Sequence, residues 1–359
     1  MTMPPLPKSV RLKITATQRR TRSQLSSLGG LQSPANPTPD ATGVRSADVT
    51  MDEASLGLWA RHISFNPAPA VTQILLVGPC WIWSQAPSLD TTTENAHRPL
   101  PVVVYFHGGG FVSFSPASRP YDAFCRRLCR ELRAVVVSVS YLLAPRHRFP
   151  ATYNDGVAAL RYLAANNDSL PADVAPINIS SCFLAGDSSG GNITHHVAHR
   201  WSSIIMSSSS SSSMKNLHIT GVVLIQPLFG GEERTAAELE LANVCPILTL
   251  ATADYYWREF LPEGTTRDHE AARVHGDNVD MDASFPPMMV VVGGFDLLKD
   301  RHVRYVEELR QRKKNPVRMV EYPNAIHGFY IFPEIDDSIW QVHGGFEAVR
   351  AGMQREAVN

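Results

Sequence analysis

The sequence predicts an α/β fold, with a mostly parallel central sheet flanked by helices and a helical lid. Three observations lead to this prediction: continuous apolar runs of strand length, helical stretches between most of those runs, and glycine-rich turns that follow two of them. Apolar runs without alternation are typical of parallel strands that are buried on both faces. Strands and helices that alternate along a chain indicate a parallel sheet covered by helices.

Six apolar runs predict the strands of this sheet. They are 102–106, 135–139, 182–185, 219–225, 288–292 and 318–322. Helices are predicted over 121–132, 153–165, 192–201 and 301–312. Ahead of the sheet, 47–65 is expected to form two short strands around a turn. We assign no element to 66–100, where an apolar run, 71–83, occupies a place in which a polar connector is natural.

The 359 residues favour one main domain, although the length alone allows up to three. We assign 46–359 to an α/β-hydrolase-type domain with a lid insertion around 231–275, which is helical and lacks a predicted strand. The N-terminal segment 1–45 is polar and is expected to be partly disordered or lid-forming. The serine run Ser207–Ser213 predicts a flexible surface loop, because such a run cannot build a packed core.

Composition and charge exclude several classes of function. The formal net charge is −1, so nothing indicates a partner that is a nucleic acid or an anionic membrane. The apolar run Ile74 to Trp83 is interrupted by Gly78 and Pro79, and it is shorter than the roughly 20 residues that span a bilayer. We therefore expect a soluble protein that acts on a small molecule; the sequence does not indicate its oligomeric state.

The cysteines and the N-terminus bear on the compartment. The five cysteines lack paired CxxC spacing, which favours a reducing environment. Cys125 and Cys129 lie one helical turn apart and are interpreted as buried thiols rather than metal ligands. Residues 1–39 contain no acidic residue but several basic ones, as in transit peptides. We expect a cytoplasmic protein, with a plastid location as the alternative.

A nucleophile elbow is predicted at Gly186-Asp187-Ser188-Ser189-Gly190, which matches G-x-S-x-G between a predicted strand and a predicted helix. In such a turn the glycines avoid clashes with the neighbouring strand and helix, and the serine hydroxyl is pushed out above the sheet. The helix N-terminus adds positive potential where an oxyanion would develop. Ser189 is a competing nucleophile, but the spacing centres the motif on Ser188.

An oxyanion hole is predicted at His107-Gly108-Gly109-Gly110, which directly follows the strand 102–106. Consecutive glycines leave backbone N–H groups open to a substrate oxygen. We expect the donors to be the N–H groups of Gly108, Gly109 and Ser189. His107 precedes the nucleophile in the chain, so we expect it to be structural.

The remaining catalytic partners should follow in the order acid, then histidine. Asp296 comes directly after the apolar run 288–292 and its glycine pair, and Asp300 is the competing acid. We favour Asp296, because Asp300 falls inside the following helix, where it can act as a cap. His327 lies in the loop after the run 318–322, at the same edge of the sheet.

Three further histidines raise the alternative of a metal site. His195 and His199 have the i, i+4 spacing of two zinc ligands, with His196 between them. No glutamate stands between them in the HExxH manner, and the helix that carries them is expected to pack inside the fold. We therefore predict no metal and no cofactor.

These motifs resemble those of the plant carboxylesterases, a branch of the hormone-sensitive-lipase-like α/β hydrolases. The match extends over most of 40–345 and includes stretches outside the motifs above. Those stretches are 141–150, 153–156, 226–234 and 330–334. The resemblance implies hydrolysis of short-chain esters by Ser188, Asp296 and His327. It also implies a lid built from N-terminal helices and an insertion, which favours a lid over a transit peptide for the N-terminal segment.

Two departures from the resemblance stand out. Ser189 occupies a position where the family usually has alanine, so a hydroxyl is added beside the oxyanion hole. The stretch 66–98 is longer and more apolar than the family's connector, and we interpret it as an insertion or a misread gene segment.

Two other functions occur in proteins that resemble this one. Gibberellin receptors share the fold but lack the catalytic histidine, so the presence of His327 favours catalysis over hormone binding. The hydroxyisoflavanone dehydratases make a lyase the other alternative. We interpret the protein as a serine carboxylesterase that acts on small carboxylic esters through an acyl-enzyme intermediate.

Overall fold

The computed structural model describes 47–50, 59–63, 72–76, 80–85, 99–132, 134–166, 176–207, 212–245, 247–274, 285–312 and 316–331. The segment 1–45, expected to be disordered or lid-forming, lies outside the described residues. No helix of the described part is long and apolar enough to cross a membrane.

One sheet runs through the described residues, and its strands divide into two groups. The first group has the bounds β1 Ala47–Thr50, β2 Trp59–Ile63, β3 Thr72–Leu76 and β4 Cys80–Gln85. The second has the bounds β5 Leu100–Phe106, β6 Val135–Val139, β7 Ile177–Asp187, β8 Ile219–Ile225, β9 Met288–Phe295 and β10 Val317–Ile326. The order across the sheet is β1-β2-β3-β4-β6-β5-β7-β8-β9-β10. β1 to β4 pair antiparallel, β4 joins β6 antiparallel, and β5 to β10 pair parallel.

The six strands predicted from apolar runs are β5 to β10, and the predicted fold class is confirmed. β7 begins at Ile177, earlier than predicted, and β10 continues to Ile326. β1 and β2 are the two short strands expected within 47–65. β3 and β4 lie within 66–100, where no element was assigned, and β4 pairs with the buried strand β6. That 66–98 is an insertion or a misread segment stays a prediction.

Helices connect the strands of the parallel half. Their bounds are α1 Arg119–Leu132, α2 Ala151–Asn166, α3 Ser189–Met206, α4 Ser212–Asn216, α5 Ala236–Glu240, α6 Leu250–Phe260 and α7 Lys299–Arg312. The four predicted helices are α1, α2, α3 and α7; each is longer than predicted, and α2 and α3 extend beyond their predictions at both ends. A 3₁₀ helix covers Phe329–Ile331.

The prediction of a loop over Ser207–Ser213 is wrong at its C-terminal end. Ser212 and Ser213 open the one-turn helix α4, and Ser208 to Ser211 lie outside the described residues. Serine is common at helix starts, because its hydroxyl can serve the free N–H groups there.

The core lies along the parallel strands and places their carboxyl ends at one edge. Every residue of β6, β8 and β9 is buried, as continuous apolar runs predict. Cys125 and Cys129 of α1 are both buried, which confirms their interpretation as core thiols. The loops that carry Gly108, Ser188, Asp296 and His327 all follow the carboxyl ends of parallel strands, so they come together at this edge.

Candidate active site

Ser188 lies in the turn between β7 and α3 with a backbone that L-residues rarely adopt, φ 51° and ψ −120°. The turn is tight on both sides. A side chain at Gly190 would overlap the carbonyl oxygen of Phe106, at the end of β5. Such strain persists where the surrounding structure holds it, and it is common at functional sites. The glycine lets α3 start directly against β5, and this contact fixes the position of Ser188.

Ser188, His327 and Asp296 form one continuous chain of hydrogen bonds. Nε2 of His327 lies 2.9 Å from Oγ of Ser188, across 139 positions of sequence. Nδ1 of His327 lies 2.8 Å from Oδ2 of Asp296. Asp296 directly follows β9 and His327 directly follows β10, so two neighbouring parallel strands deliver both side chains.

The electrostatics of Asp296 favour its ionised form. Burial is the largest single effect and raises the pKa of this carboxyl, but the interactions with His327 and His302 and the hydrogen bond from the N–H of Leu298 together bring the pKa below its ordinary value. The other oxygen, Oδ1, accepts a hydrogen bond from the N–H of Leu298 at 3.0 Å. A buried carboxylate at this position holds the proton of His327 on Nδ1, which leaves Nε2 to accept from Ser188.

His302 is a buried histidine close enough to Asp296 to affect its charge. Its Nε2 donates to the carbonyl of Pro227 at 2.7 Å, and the residue is fully buried. Burial lowers the pKa of His302, although the nearby Asp296 carboxylate acts in the opposite direction. His302 is therefore a neutral ring near the Asp296 carboxylate at pH 7.

Asp300, the competing acid, serves another element. It lies in the first turn of α7, and its Oδ2 accepts a hydrogen bond from the N–H of Ala237 at 2.8 Å. It thus caps the start of the neighbouring helix α5, and Asp296 alone of the two is bonded to His327 in the described part of the chain.

The glycine loop after β5 faces the elbow. Gly109 has φ +113°, which only glycine adopts readily, and its carbonyl accepts from the N–H groups of Val112 and Ser113. These bonds fold the loop back on itself. Ser189 is the first residue of α3, so its N–H belongs to a helical turn whose N–H groups lack acceptors within the helix.

Helix α6 packs on this glycine loop. Phe111 stacks on Phe260 with ring centroids 3.8 Å apart and nearly parallel planes, and it also contacts Trp257. The Tyr256 ring lies directly against Gly110, where a Cβ would overlap it. In this way the 231–275 segment supports the loop from outside; its role as a lid stays a prediction.

His107 is a structural residue of the loop. Its Nδ1 lies 2.8 Å from the carbonyl of Gly108, and its ring stacks on Tyr141 with centroids 4.3 Å apart. Tyr141 donates its hydroxyl to the carbonyl of His107 at 2.6 Å. Burial lowers the pKa of His107 to about 4, so the ring is neutral near pH 7.

Asp187, the first x position of the G-x-S-x-G motif, is a buried acid to which the motif assigns no role. Its carboxylate accepts hydrogen bonds from three tyrosine hydroxyls: Tyr105 at 2.6 Å, Tyr121 at 2.9 Å and Tyr330 at 2.7 Å. Burial raises the pKa of Asp187, and the three hydroxyls offset part of that rise. One Asp187 oxygen lies against Gly108, where no Cβ would fit. The cluster therefore joins the elbow, the glycine loop and the residues after His327.

The extra hydroxyl of Ser189 is fully buried and has no hydrogen-bond partner among the described residues. The Tyr141 hydroxyl lies nearby and donates to the carbonyl of His107, and its interaction with the Ser189 hydroxyl falls short of normal hydrogen-bond geometry. A buried hydroxyl without a partner costs stability.

The histidines of α3 are occupied by other contacts. Nδ1 of His195 lies 2.9 Å from the hydroxyl of Tyr305, and Nε2 of His196 donates to the carbonyl of Ala271 at 3.2 Å. In the described part of the chain, no three potential ligands are grouped as a metal site requires.

Comparisons with known proteins agree on the family. A family model described as alpha/beta hydrolase fold matches 103–331. The chain is 36% identical over 310 residues to gibberellin receptor GID1 of Oryza sativa subsp. japonica, covering 84% of the chain and 79% of the receptor. It is 36% identical over 252 residues to probable carboxylesterase 6 of Arabidopsis thaliana, covering 70% of each.

Among solved structures, an esterase from Pyrobaculum calidifontis has the same fold. Its TM-score is 0.63 at 23% identity, and the match covers 99% of this chain and 100% of the esterase. At that identity the likeness shows the fold alone.

Proposed function

Because the chain belongs to the plant carboxylesterase family of α/β hydrolases, we propose that it is a serine carboxylesterase acting on small carboxylic esters. In this proposal Ser188 is the nucleophile, His327 the general base and Asp296 the orienting acid. The observation that carries it is the hydrogen-bond chain from Ser188 through His327 to Asp296, at 2.9 Å and 2.8 Å.

The first step transfers the Ser188 proton. His327 Nε2 accepts the hydroxyl proton as Oγ attacks the ester carbonyl carbon and the carbonyl oxygen takes the negative charge. Asp296 stabilises the imidazolium that forms, because its carboxylate accepts the Nδ1 hydrogen bond throughout. The strained backbone of Ser188 adds no reorganisation at this moment, since it is already present in the resting structure.

The negative oxygen is stabilised by backbone donors. We assign this role to the N–H groups of Gly108, Gly109 and Ser189. Their support is the folded-back glycine loop on one side and the start of α3 on the other. One such donor typically accounts for a factor on the order of 10²–10³ in kcat.

The second half of the reaction returns the enzyme to its resting state. His327 gives its proton to the leaving alcohol as the tetrahedral intermediate collapses to an acyl-Ser188 ester. Water then attacks this ester while His327 accepts one of its protons, and the carboxylic acid is released. Every proton passes through Nε2 of His327, so the tautomer with its proton on Nδ1, which Asp296 holds, serves both acylation and deacylation.

A receptor function is the main alternative, because gibberellin receptors are among the relatives. The presence of His327, bonded to both Ser188 and Asp296, favours hydrolysis. Hydrogen bonds of this length on both ring nitrogens are what a general base requires.

The test compares hydrolysis of p-nitrophenyl acetate and butyrate by the wild type and by Ser188→Ala. We expect turnover by the wild type and a loss on the order of 10⁶-fold in kcat in Ser188→Ala. Ser203→Ala, which changes an exposed hydroxyl further along the same helix, is the matched control and should keep full activity. A fluorophosphonate probe should label the peptide that contains Ser188.

Two outcomes would overturn the proposal. If the wild type and Ser188→Ala are equally inactive and a gibberellin binds tightly, the protein is a receptor. If an isoflavanone is dehydrated while no ester is cleaved, product analysis identifies a lyase.

A further inference from the structure

Gln226 directly follows β8 and has an unusual backbone for a residue with a side chain. Its φ is +44°, in the left-handed region that favours glycine. The residue is fully buried, and its N–H donates to the carbonyl of Val291 on β9 at 2.9 Å. An unfavourable conformation that is held in a buried position calls for a functional explanation.

The side chain of Gln226 forms hydrogen bonds with the backbone on both sides of His327. Its Nε2 donates to the carbonyl of Ile326 at 3.1 Å, and its Oε1 accepts from the N–H of Gly328 at 2.8 Å. Both ends of the amide are used, across about 100 positions of sequence. The two bonds fix the main chain from which the imidazole projects.

The same short segment also holds the nucleophile. Ser188 donates its N–H to the carbonyl of Ile225 at 2.9 Å, and its own carbonyl accepts from the N–H of Leu228 at 2.7 Å. Gln226 lies between these two residues. The backbones of Ser188 and His327 are therefore both anchored to 225–228, while their side chains meet at 2.9 Å.

The neighbouring strand leaves room for this amide. A Cβ at Gly293 of β9 would overlap Nε2 of Gln226, so only glycine permits the side chain to reach the loop after β10. A hydrophobic side chain of similar length could fill the space, but it would leave the Ile326 carbonyl and the Gly328 N–H without these partners.

We propose that Gln226 is a positioning residue that aligns His327 with Ser188 by holding the peptide groups on either side of His327. The inference rests on the proposed esterase function. Its physical basis is that a shift of about 1 Å in a catalytic group can reduce the rate by roughly 10²-fold.

The experiment compares Gln226→Met, which keeps the length but neither hydrogen bond, with wild type, Ser188→Ala and Val306→Ala. Val306 is a buried core residue of α7, and its truncation provides a matched loss of stability away from the triad. We expect kcat of Gln226→Met to fall by roughly 10²-fold while KM stays within about twofold. Val306→Ala should keep its kcat at temperatures below its unfolding transition.

A second variant, Gln226→Glu, keeps the shape of the side chain and part of its hydrogen-bonding capacity. In Gln226→Glu the introduced carboxyl can still accept from Gly328, and it can donate to Ile326 only when protonated. We expect partial rescue relative to Gln226→Met at low pH, with the rescue lost as pH rises. If Gln226→Met is too unstable to purify, the ratio of the Gln226→Glu kcat to the wild-type kcat at each pH, which should fall as pH rises, tests the proposal alone.

The outcomes separate this inference from the proposed function. Wild-type turnover that disappears in Ser188→Ala supports the esterase function, whatever Gln226 does. If the Gln226 variants then keep wild-type kcat, or lose only what Val306→Ala loses, Gln226 is not a positioning residue. If the wild type itself hydrolyses no ester, both proposals fail.

Discussion

Asp296 accepts a hydrogen bond from Nδ1 of His327 at 2.8 Å, and the two side chains are almost completely buried together. Asp300, four positions later, accepts instead from the backbone of Ala237. Two acids that are close in sequence thus serve different purposes: Asp296 orients His327, and Asp300 caps the helix α5.

The first prediction concerns Asp296→Asn. An amide in place of the carboxylate can donate to Nδ1 and so favours the tautomer that has its proton on Nε2, which cannot accept from Ser188. We expect kcat to fall by roughly 10⁴-fold with little change in the fold. Steady-state kinetics with p-nitrophenyl butyrate measures this. Asp300→Asn is the matched control, and a comparable loss there would show that the acid is misassigned.

The second prediction concerns the three tyrosines around Asp187. Tyr330→Phe removes the hydroxyl that donates to Asp187 at 2.7 Å and leaves a buried carboxylate with one donor fewer. We expect the free energy of unfolding to fall by about 1–3 kcal/mol. Urea denaturation compares it with Tyr255→Phe, whose side chain is exposed. Equal stability in the two variants would contradict the role of the cluster.

The third prediction concerns a buried ion pair between α7 and α5. Arg301 Nε donates to Glu238 Oε1 at 2.8 Å, and further guanidinium N–H groups donate to the carbonyls of Gly230 and Glu233. Replacing one partner, as in Glu238→Gln, leaves a buried charge uncompensated. We expect a loss of about 3–5 kcal/mol. The reference is Glu308→Gln, which breaks the more exposed ion pair of Arg304 with Glu308. The free energy of unfolding of this variant, measured by denaturation, should change little.

The fourth prediction is a gain of stability. Ser189→Ala removes a buried hydroxyl that has no hydrogen-bond partner among the described residues, and it leaves the backbone N–H in place. We expect the free energy of unfolding to rise by about 1 kcal/mol. A clear decrease on denaturation would show that the hydroxyl is satisfied in solution.

The fifth prediction concerns pH. Burial lowers the pKa of His107 from 6.5 to about 4, so between these values the unfolded chain binds a proton that the folded chain does not. The free energy of unfolding should therefore fall as pH drops from 6.5 to 4, by on the order of 3 kcal/mol from this residue. Denaturation at several pH values, compared with His107→Phe, checks it. A slope that is equal in both proteins would contradict the assignment.

Much of the parallel half of the fold could be predicted from the sequence, because the strands are buried on both faces and read as continuous apolar runs. Val135–Val139 is an example, with every residue buried. β3 and β4 escaped prediction. β4 is held by antiparallel pairing with β6, whose partner residues are 53 to 59 positions away, and a contact at that distance cannot be predicted from the local pattern.

The site also has a part that could be predicted from local motifs and a part that could not. Ser188 and the glycine loop could be found because the elbow and the loop are local motifs beside predicted strands. The donors around Asp187 are 66 to 143 positions distant, and Gln226 acts across about 100. No spacing rule reports such contacts. The position of Asp187, an acid just after an apolar run, is the one local signal that could have indicated buried donors.

The 139 positions between Ser188 and His327 have a consequence for the folding pathway. Loop closure over such a distance is entropically unfavourable until the intervening strands have docked. The contact between Ser188 and His327 is therefore complete only once β8, β9 and β10 have joined the elbow strand β7. During refolding, esterase activity should return later than helical circular dichroism, because its recovery reports the completed sheet.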